Sequence, residues 1–154
     1  MDIPVKEVPG GKAAPAPAQK PTLVNRTAAP NLVVSRETFD SPRDEEWNDF
    51  LKLLEAQGDN VDKLRLLVVT DGGGPNSAQR TRLETALKGR SVRVAIVTDS
   101  AKSRFIASAV SLFNRDHRGF SKAEMSAAYA HLMLTPQECR LVEAALREME
   151  PLIK

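Results

Sequence analysis

Two aspartates in this sequence, Asp71 and Asp99, have the residue type and spacing of a possible catalytic or metal-binding pair. Asp71 and Asp99 each end a short apolar run of branched residues, and each comes directly after a threonine. If the two runs are neighbouring parallel strands, both carboxylates lie at the sheet edge where open α/β folds bind ligands. Paired carboxylates there would hold Mg²⁺ through oxygen ligands or divide the roles of general acid and general base.

A glycine-rich loop follows the first aspartate. Gly72, Gly73 and Gly74 precede Pro75 and a helical pattern, and the N–H groups at such a helix start attract anions. The loop lacks the G-x-x-x-x-G-K-[ST] pattern, because nothing like Gly-Lys-Ser follows Gly74, and it lacks G-x-G-x-x-G, because Ser77 stands where the last glycine is needed. We therefore favour a structural turn over a phosphate cradle.

A structural interpretation also fits the two aspartates. Asp99 or Ser100 would cap the next helix, and Asp71 would accept N–H groups of the glycine turn. The two histidines are far apart, the single cysteine is Cys139, and no nucleophile is placed beside the aspartates by the sequence. We expect no catalytic residue, no metal and no cofactor, and keep an Asp71–Asp99 magnesium enzyme as the alternative.

Apolar runs and capping signals predict the elements that would position these residues. Buried strands are predicted at Leu64–Val69 and Val92–Val97, with a first strand at Asn31–Arg36 and a minimal fourth at Arg118–Phe120. An edge segment at Thr22–Arg26 is a further option. Helices are predicted from Ser41 to just before Gly58 and at about 76–88, 101–113, 122–133 and 136–149. This order predicts an α/β fold with a small, mainly parallel sheet of about four strands and helices packed on it.

The composition divides the chain into a tail and one domain. Residues 1–30 hold six of the ten prolines and the run Ala13-Ala-Pro-Ala-Pro-Ala18, which predicts a disordered tail before a domain at 31–154. The net charge of +2 resides entirely in residues 1–30, so the domain is neutral and lacks the electrostatic footprint of nucleic-acid binding. No apolar run reaches the roughly 18 residues of a membrane span. With no signal peptide and one cysteine, we expect a cytoplasmic protein.

The segment from about Asn31 to Glu150 resembles a STAS-type domain of the SpoIIAA-like, anti-sigma-factor-antagonist group. The resemblance lies in Leu66-Leu-Val-Val-Thr-Asp-Gly-Gly-Gly74, Val94-Ala-Ile-Val-Thr-Asp-Ser100 and Arg118-Gly-Phe-Ser121 with the helices that follow them. It implies a non-enzymatic domain that binds partner proteins. In the family a kinase modifies a serine just after the aspartate, whereas this chain has Gly72 and Gly73 there. That difference implies a constitutive binding surface, with Ser77, at the helix start, as the remaining candidate phosphorylation site.

These observations lead to one main hypothesis and two alternatives. We expect a regulatory or adaptor protein that binds a protein partner through the glycine loop and the following helix, with the tail as a tether or second contact. The predicted partner-binding residues are Asp71, Gly72, Gly73, Gly74, Asn76, Ser77 and Arg80. The alternatives are the magnesium-dependent phosphate or nucleotide enzyme and a carrier of an apolar ligand, which needs a cavity of several hundred Å³.

Overall fold

The structure is a computed structural model that describes residues 20–103 and 116–154. The strands are β1 (Leu23–Ala29), β2 (Leu32–Glu37), β3 (Arg65–Thr70), β4 (Arg93–Val97) and β5 (His117–Phe120). The α-helices are α1 (Asp44–Glu55), α2 (Ser77–Leu87), α3 (Met125–His131) and α4 (Pro136–Ile153), with short 3₁₀ helices at Gly58–Lys63 and Lys122–Glu124. A helical turn also begins at residue 101, and most of the predicted 101–113 helix lies outside the described residues.

The five strands form one sheet whose spatial order equals their order along the chain. β1 and β2 are antiparallel and joined at Asn31, whose φ of 60° is the left-handed conformation that a tight turn needs. β2, β3, β4 and β5 are parallel neighbours. The α/β class and the mainly parallel sheet are therefore confirmed, with five strands in place of about four.

Alternate residues of the strands face two separate helix layers. One face carries Val34, Leu67 and Val97 and packs against α3 and α4. The other face carries Val33, Leu66 and Val94 and packs against α1 and α2. Burial of both faces explains the uninterrupted apolar runs Leu66–Val69 of β3 and Val94–Val97 of β4. It also leaves the loops at the carboxyl ends of the strands as the exposed edge of the domain.

The predicted tail boundary at residue 30 is wrong. Residues 23–29 form β1, whose Leu23 and Val24 are buried against the two helix layers. The edge segment that the sequence indicated at Thr22–Arg26 is part of this strand. The first 19 residues, which include most of the predicted tail, lie outside the described residues.

Three predicted helix ends also differ from the structure. Helix α1 is preceded by Arg43 and not by Ser41, because Glu46 reaches back to accept the Arg43 N–H at 2.9 Å. Helix α2 is capped by Asn76 and not by Gly74. Helix α4 continues through Pro151, because its last turn buries Ile153 in the core. No helix within the described ranges is both long and apolar enough to cross a bilayer.

Candidate functional site

The two Thr–Asp sequences that end β3 and β4 fold into the same turn. The Thr70 hydroxyl accepts the N–H of Gly72 at 3.0 Å, and the Thr98 hydroxyl accepts the N–H of Ser100 at 3.1 Å. Both threonines are almost fully buried. The hydroxyls therefore fix the direction of the chain as it leaves each strand.

Asp71 and Asp99 follow the carboxyl ends of the neighbouring strands β3 and β4, and each bonds to a different group of Lys122. The Lys122 Nζ lies 3.3 Å from Asp71 Oδ1, and the Lys122 backbone N–H donates to Asp99 Oδ1 at 3.0 Å. Asp71 Oδ1 also accepts from Nη2 of Arg36 at 2.9 Å. Asp71 thus pairs with two cations, and not with the glycine-turn N–H groups that the sequence suggested.

This arrangement does not suit a magnesium centre. The ammonium of Lys122 and the guanidinium of Arg36 already neutralise Asp71, and a metal cation beside them would be repelled. No three His, Cys, Asp or Glu side chains converge as metal ligands within the described part of the chain. We therefore do not carry the magnesium-enzyme alternative further.

Three N–H groups of the glycine loop, residues 71–75, donate hydrogen bonds within the protein. The Asp71 N–H donates to the Glu37 carbonyl at 3.1 Å, and the Gly73 N–H donates to the Thr38 carbonyl at 2.9 Å. The Gly72 N–H is held by Thr70. A phosphate would find these three donors occupied, which agrees with the structural turn that the sequence favoured.

Gly72 and Gly73 are required by the fold of this loop, whereas Gly74 is not. Gly72 has a φ of 136°, a conformation that side-chain-bearing residues rarely adopt. A Cβ on Gly73 would lie 2.3 Å from the Asp40 carbonyl oxygen and 2.6 Å from that of Thr38. A Cβ on Gly74 would meet nothing within 4 Å. The loop therefore packs directly on the backbone between β2 and α1.

The start of α2 is anchored by a glutamine that the sequence analysis missed. Gln79 is 1% exposed; its Nε2 donates to the Pro42 carbonyl at 2.7 Å, and its Oε1 accepts the Asn76 N–H at 3.0 Å. The Trp47 indole donates to the Gln79 carbonyl at 2.9 Å. The spacing Asn76-x-x-Gln79, a capping box, was the signal that could have identified it.

Ser77 and Arg80 lie together on the exposed side of this helix start. Arg80 Nη2 donates to the Ser77 hydroxyl at 3.1 Å, and Nη1 donates to the Pro75 carbonyl at 3.0 Å. Ser77, Arg80 and Asn76 are exposed, while the three glycines are half-buried. Of the predicted partner-binding residues, only Asp71 is held by ion pairs that limit its availability.

An exposed aromatic side chain lies beside the glycine loop and was also missed. Phe39, in the β2–α1 connection, is 77% exposed, and its Cδ1 would lie 3.5 Å from a Cβ placed on Gly72. Nothing in the local sequence marks it, because a phenylalanine after a strand usually predicts core. We use the name Phe39 face for this side chain together with the adjoining glycine loop and the exposed residues that follow it in the chain, namely Phe39, Gly72, Gly73, Gly74, Asn76, Ser77 and Arg80.

Two carboxylates, those of Glu150 and Glu37, have strongly shifted pKa values. Arg36 binds Glu150 of α4, and this hydrogen bond lowers the Glu150 pKa to about 2 against the opposing effect of burial. Glu37 is 5% exposed and its Oε2 has no hydrogen-bond partner among the described residues. Burial, with a smaller contribution from the charge of Glu46, raises the Glu37 pKa to about 8.

Two cavities lie away from the Phe39 face. One, of about 490 Å³, runs along the outer edge of β1 and includes Arg43, Glu46 and Asp49. The other, of about 360 Å³, lies where α1 and α2 end and includes Glu55, Asp59 and Arg90. Both are lined by charged as well as apolar side chains, so neither of these two cavities suits an apolar ligand.

Comparison of the chain with protein-family models, with curated proteins and with solved structures finds no match.

Proposed function

We propose that this chain is a non-enzymatic regulatory or adaptor protein that binds a protein partner through the Phe39 face. The observation that carries the proposal is an exposed phenylalanine beside a tightly packed loop. Aromatic side chains dominate the binding energy of protein interfaces. A phenylalanine on a fixed backbone loses little conformational entropy on binding, which makes it an effective anchor.

The polar residues around Phe39 fit the rim of such an interface. Asn76, Ser77 and Arg80 are exposed at the start of α2, and the rim of a protein interface is polar and solvent-accessible. The glycines place no side chains beside the Phe39 ring, so a partner can contact both Phe39 and the backbone of the loop. The STAS-type resemblance, which implies a domain that binds partner proteins and places the family's kinase-modified serine at this glycine loop, remains part of the proposal.

Binding is proposed to be constitutive, with Ser77 as the one candidate for regulation on this face. A phosphate on Ser77 would lie beside Arg80 and the amino end of α2, both of which stabilise negative charge. Mass spectrometry of the protein from its native cells checks this. Ser77 found unmodified under all growth conditions would exclude that regulation and leave the binding proposal in place.

Affinity capture from the source cells with matched variants tests the function. We expect Phe39→Ala and Arg80→Ala to reduce recovery of a partner that the wild-type protein captures. Met133→Ala is the control, because Met133 is 66% exposed but lies between α3 and α4. Equal recovery by wild type and Phe39→Ala would contradict the proposal. A variant lacking residues 1–19 tests the tail without removing β1.

A further inference from the structure

Glu37, the last residue of β2, has a carboxyl group that is buried without a donor. The residue is 5% exposed, and its Oε2 atom accepts no hydrogen bond within the described structure. Side chains alternate between the two faces of a strand, so the Glu37 side chain shares the face of Val33, which packs against α1 and α2. The guanidinium of the preceding residue, Arg36, lies on the opposite face, where it binds Glu150 of α4. A carboxylate at the Glu37 position is costly, because neither water nor a donor compensates its charge.

The charged group on α1 that acts on Glu37 is another carboxylate, that of Glu46. Against the effect of burial, hydrogen bonds from Thr22 and Arg43 lower the Glu46 pKa, so Glu46 is an anion. The Arg43 guanidinium lies 3.3 Å from Glu46 and 3.6 Å from Glu45. The start of α1 therefore brings a negative charge toward Glu37, while its cation pairs with other carboxylates.

The neighbouring strands and α2 bring uncharged groups. Glu37 lies opposite Leu23 on β1 and Thr70 on β3, and the Thr70 hydroxyl already bonds within the glycine loop. The buried residue of α2 is Gln79, whose Nε2 donates to Asp44 Oδ1 at 3.2 Å. Glu37 is therefore a neutral acid at pH 7, in agreement with the pKa of about 8 that results chiefly from its burial.

The backbone beside this carboxyl group holds the glycine loop. The Glu37 carbonyl accepts the Asp71 N–H at 3.1 Å, and the Thr38 carbonyl accepts the Gly73 N–H at 2.9 Å. Phe39 is the next residue and is exposed. Because Glu37 ends its strand, opening of residues 37–39 leaves the rest of the sheet paired.

We propose that the proton on Glu37 is a switch that sets the conformation of the Phe39 face. The neutral acid keeps residues 37–39 packed against α1 and the glycine loop. Loss of the proton favours an open state in which the carboxylate reaches water and the N–H groups of Asp71 and Gly73 are released. Weaker binding of a partner to the open state rests on the proposed function, whereas the opening itself does not.

The open state gains population over a defined range of pH. The Glu37 pKa is about 8 in the packed state, against the ordinary value of 4.5 for a solvated glutamate. The packed state is fully favoured below about pH 4.5, and the ratio of open to packed molecules rises up to about tenfold per pH unit from there to about pH 8. At higher pH both states are ionised, and the ratio stays constant.

Amide hydrogen exchange of the full-length protein from pH 5.5 to 7.5, resolved by residue with NMR, tests the switch. The exchange rate divided by the intrinsic rate gives an opening constant for each N–H group. We expect the opening constants of Asp71 and Gly73 to rise at least tenfold over this range in the wild type and to stay constant in Glu37→Gln, which cannot ionise. Glu55→Gln, at the exposed end of α1, should follow the wild type.

Three results would overturn the proposal. These are opening constants that do not change with pH in the wild type, an equal rise in Glu37→Gln, and equal opening constants for Gly73 and Arg65. The Arg65 N–H bonds to the Asn31 carbonyl at the other end of β3, so equal values would mean that the whole domain unfolds. Exchange is measured on the protein alone, so its outcome is separate from that of the capture experiment on the Phe39 face.

Discussion

Arg36 and Glu150 form a two-point ion pair between β2 and the last turns of α4. Arg36 Nε lies 2.8 Å from Glu150 Oε1, and Nη2 lies 3.1 Å from Oε2. The Arg36 side chain is 3% exposed, so its charge depends on Glu150 and Asp71 for compensation. The pair therefore joins the carboxyl-terminal helix to β2 and, through Arg36 and Asp71, to the start of the glycine loop.

Replacing Glu150 by glutamine should destabilise the fold by about 1.5–3 kcal/mol, the contribution of a hydrogen bond to a charged group. The Glu150 pKa is lowered to about 2 in the folded protein. The stabilisation is therefore complete above the unfolded value of about 4.5 and is lost as the pH falls toward 2. Urea denaturation between pH 2 and 7 measures both effects.

Glu148→Gln is the matched control for this prediction, because Glu148 lies exposed on the same helix. It should leave the free energy of unfolding within about 0.5 kcal/mol of the wild type. The same loss of stability in both variants would show that the Arg36–Glu150 pair contributes nothing specific.

The contribution of Glu37 to the free energy of unfolding should have the opposite dependence on pH, and Glu37→Gln tests this. The folded-state pKa of Glu37 is raised to about 8 by burial and by the charge of Glu46. Its contribution to stability is complete below about pH 4.5 and is lost as the pH rises to about 8. The variant cannot ionise, so its stability relative to the wild type should increase across that range, by at most ~1.4 kcal/mol per pH unit.

Thermal or urea unfolding of wild type and Glu37→Gln from pH 4.5 to 9 provides the comparison. Glu55→Gln, at the exposed end of α1, should follow the wild type at every pH. A constant difference between Glu37→Gln and wild type over this range would mean that Glu37 ionises like an exposed carboxylate.

Gly73→Ala should destabilise the fold, whereas Gly74→Ala should not. The Gly73 Cβ would meet two carbonyl oxygens at 2.3 and 2.6 Å, so the loop must shift, at a cost of about 1–3 kcal/mol. The Gly74 Cβ enters open space, and that variant should unfold with the wild type. Denaturation midpoints measure the contrast, and equal midpoints for both variants would refute the close packing of this loop.

Much of the fold can be predicted from this sequence, because it rests on local signals. The branched run Leu64–Val69 predicts a buried strand, and the spacing Thr135-x-x-Glu138 predicts the start of α4, which its capping box confirms. The repeated Thr–Asp ending predicts that two aspartates meet at one edge of the sheet.

The remaining features depend on contacts between distant parts of the chain. Arg36 pairs with residues 35 and 114 positions away, and no local pattern specifies either partner. Lys122 reaches Asp71 across 51 positions, and this ion pair argues against the magnesium site that the sequence left as an alternative. Phe39 is exposed in the connection whose backbone packs against Gly73, and no local sequence pattern indicates that exposure.

The affinity of the captured partner for the Phe39→Ala variant tests the central claim most directly. Isothermal titration of the purified partner should give a Kd at least tenfold weaker than for the wild type, about 1.4 kcal/mol, with Met133→Ala within twofold. Circular dichroism of the variant should match the wild type, because Phe39 is 77% exposed. Equal Kd values for wild type and Phe39→Ala would contradict the proposal that this face binds the partner.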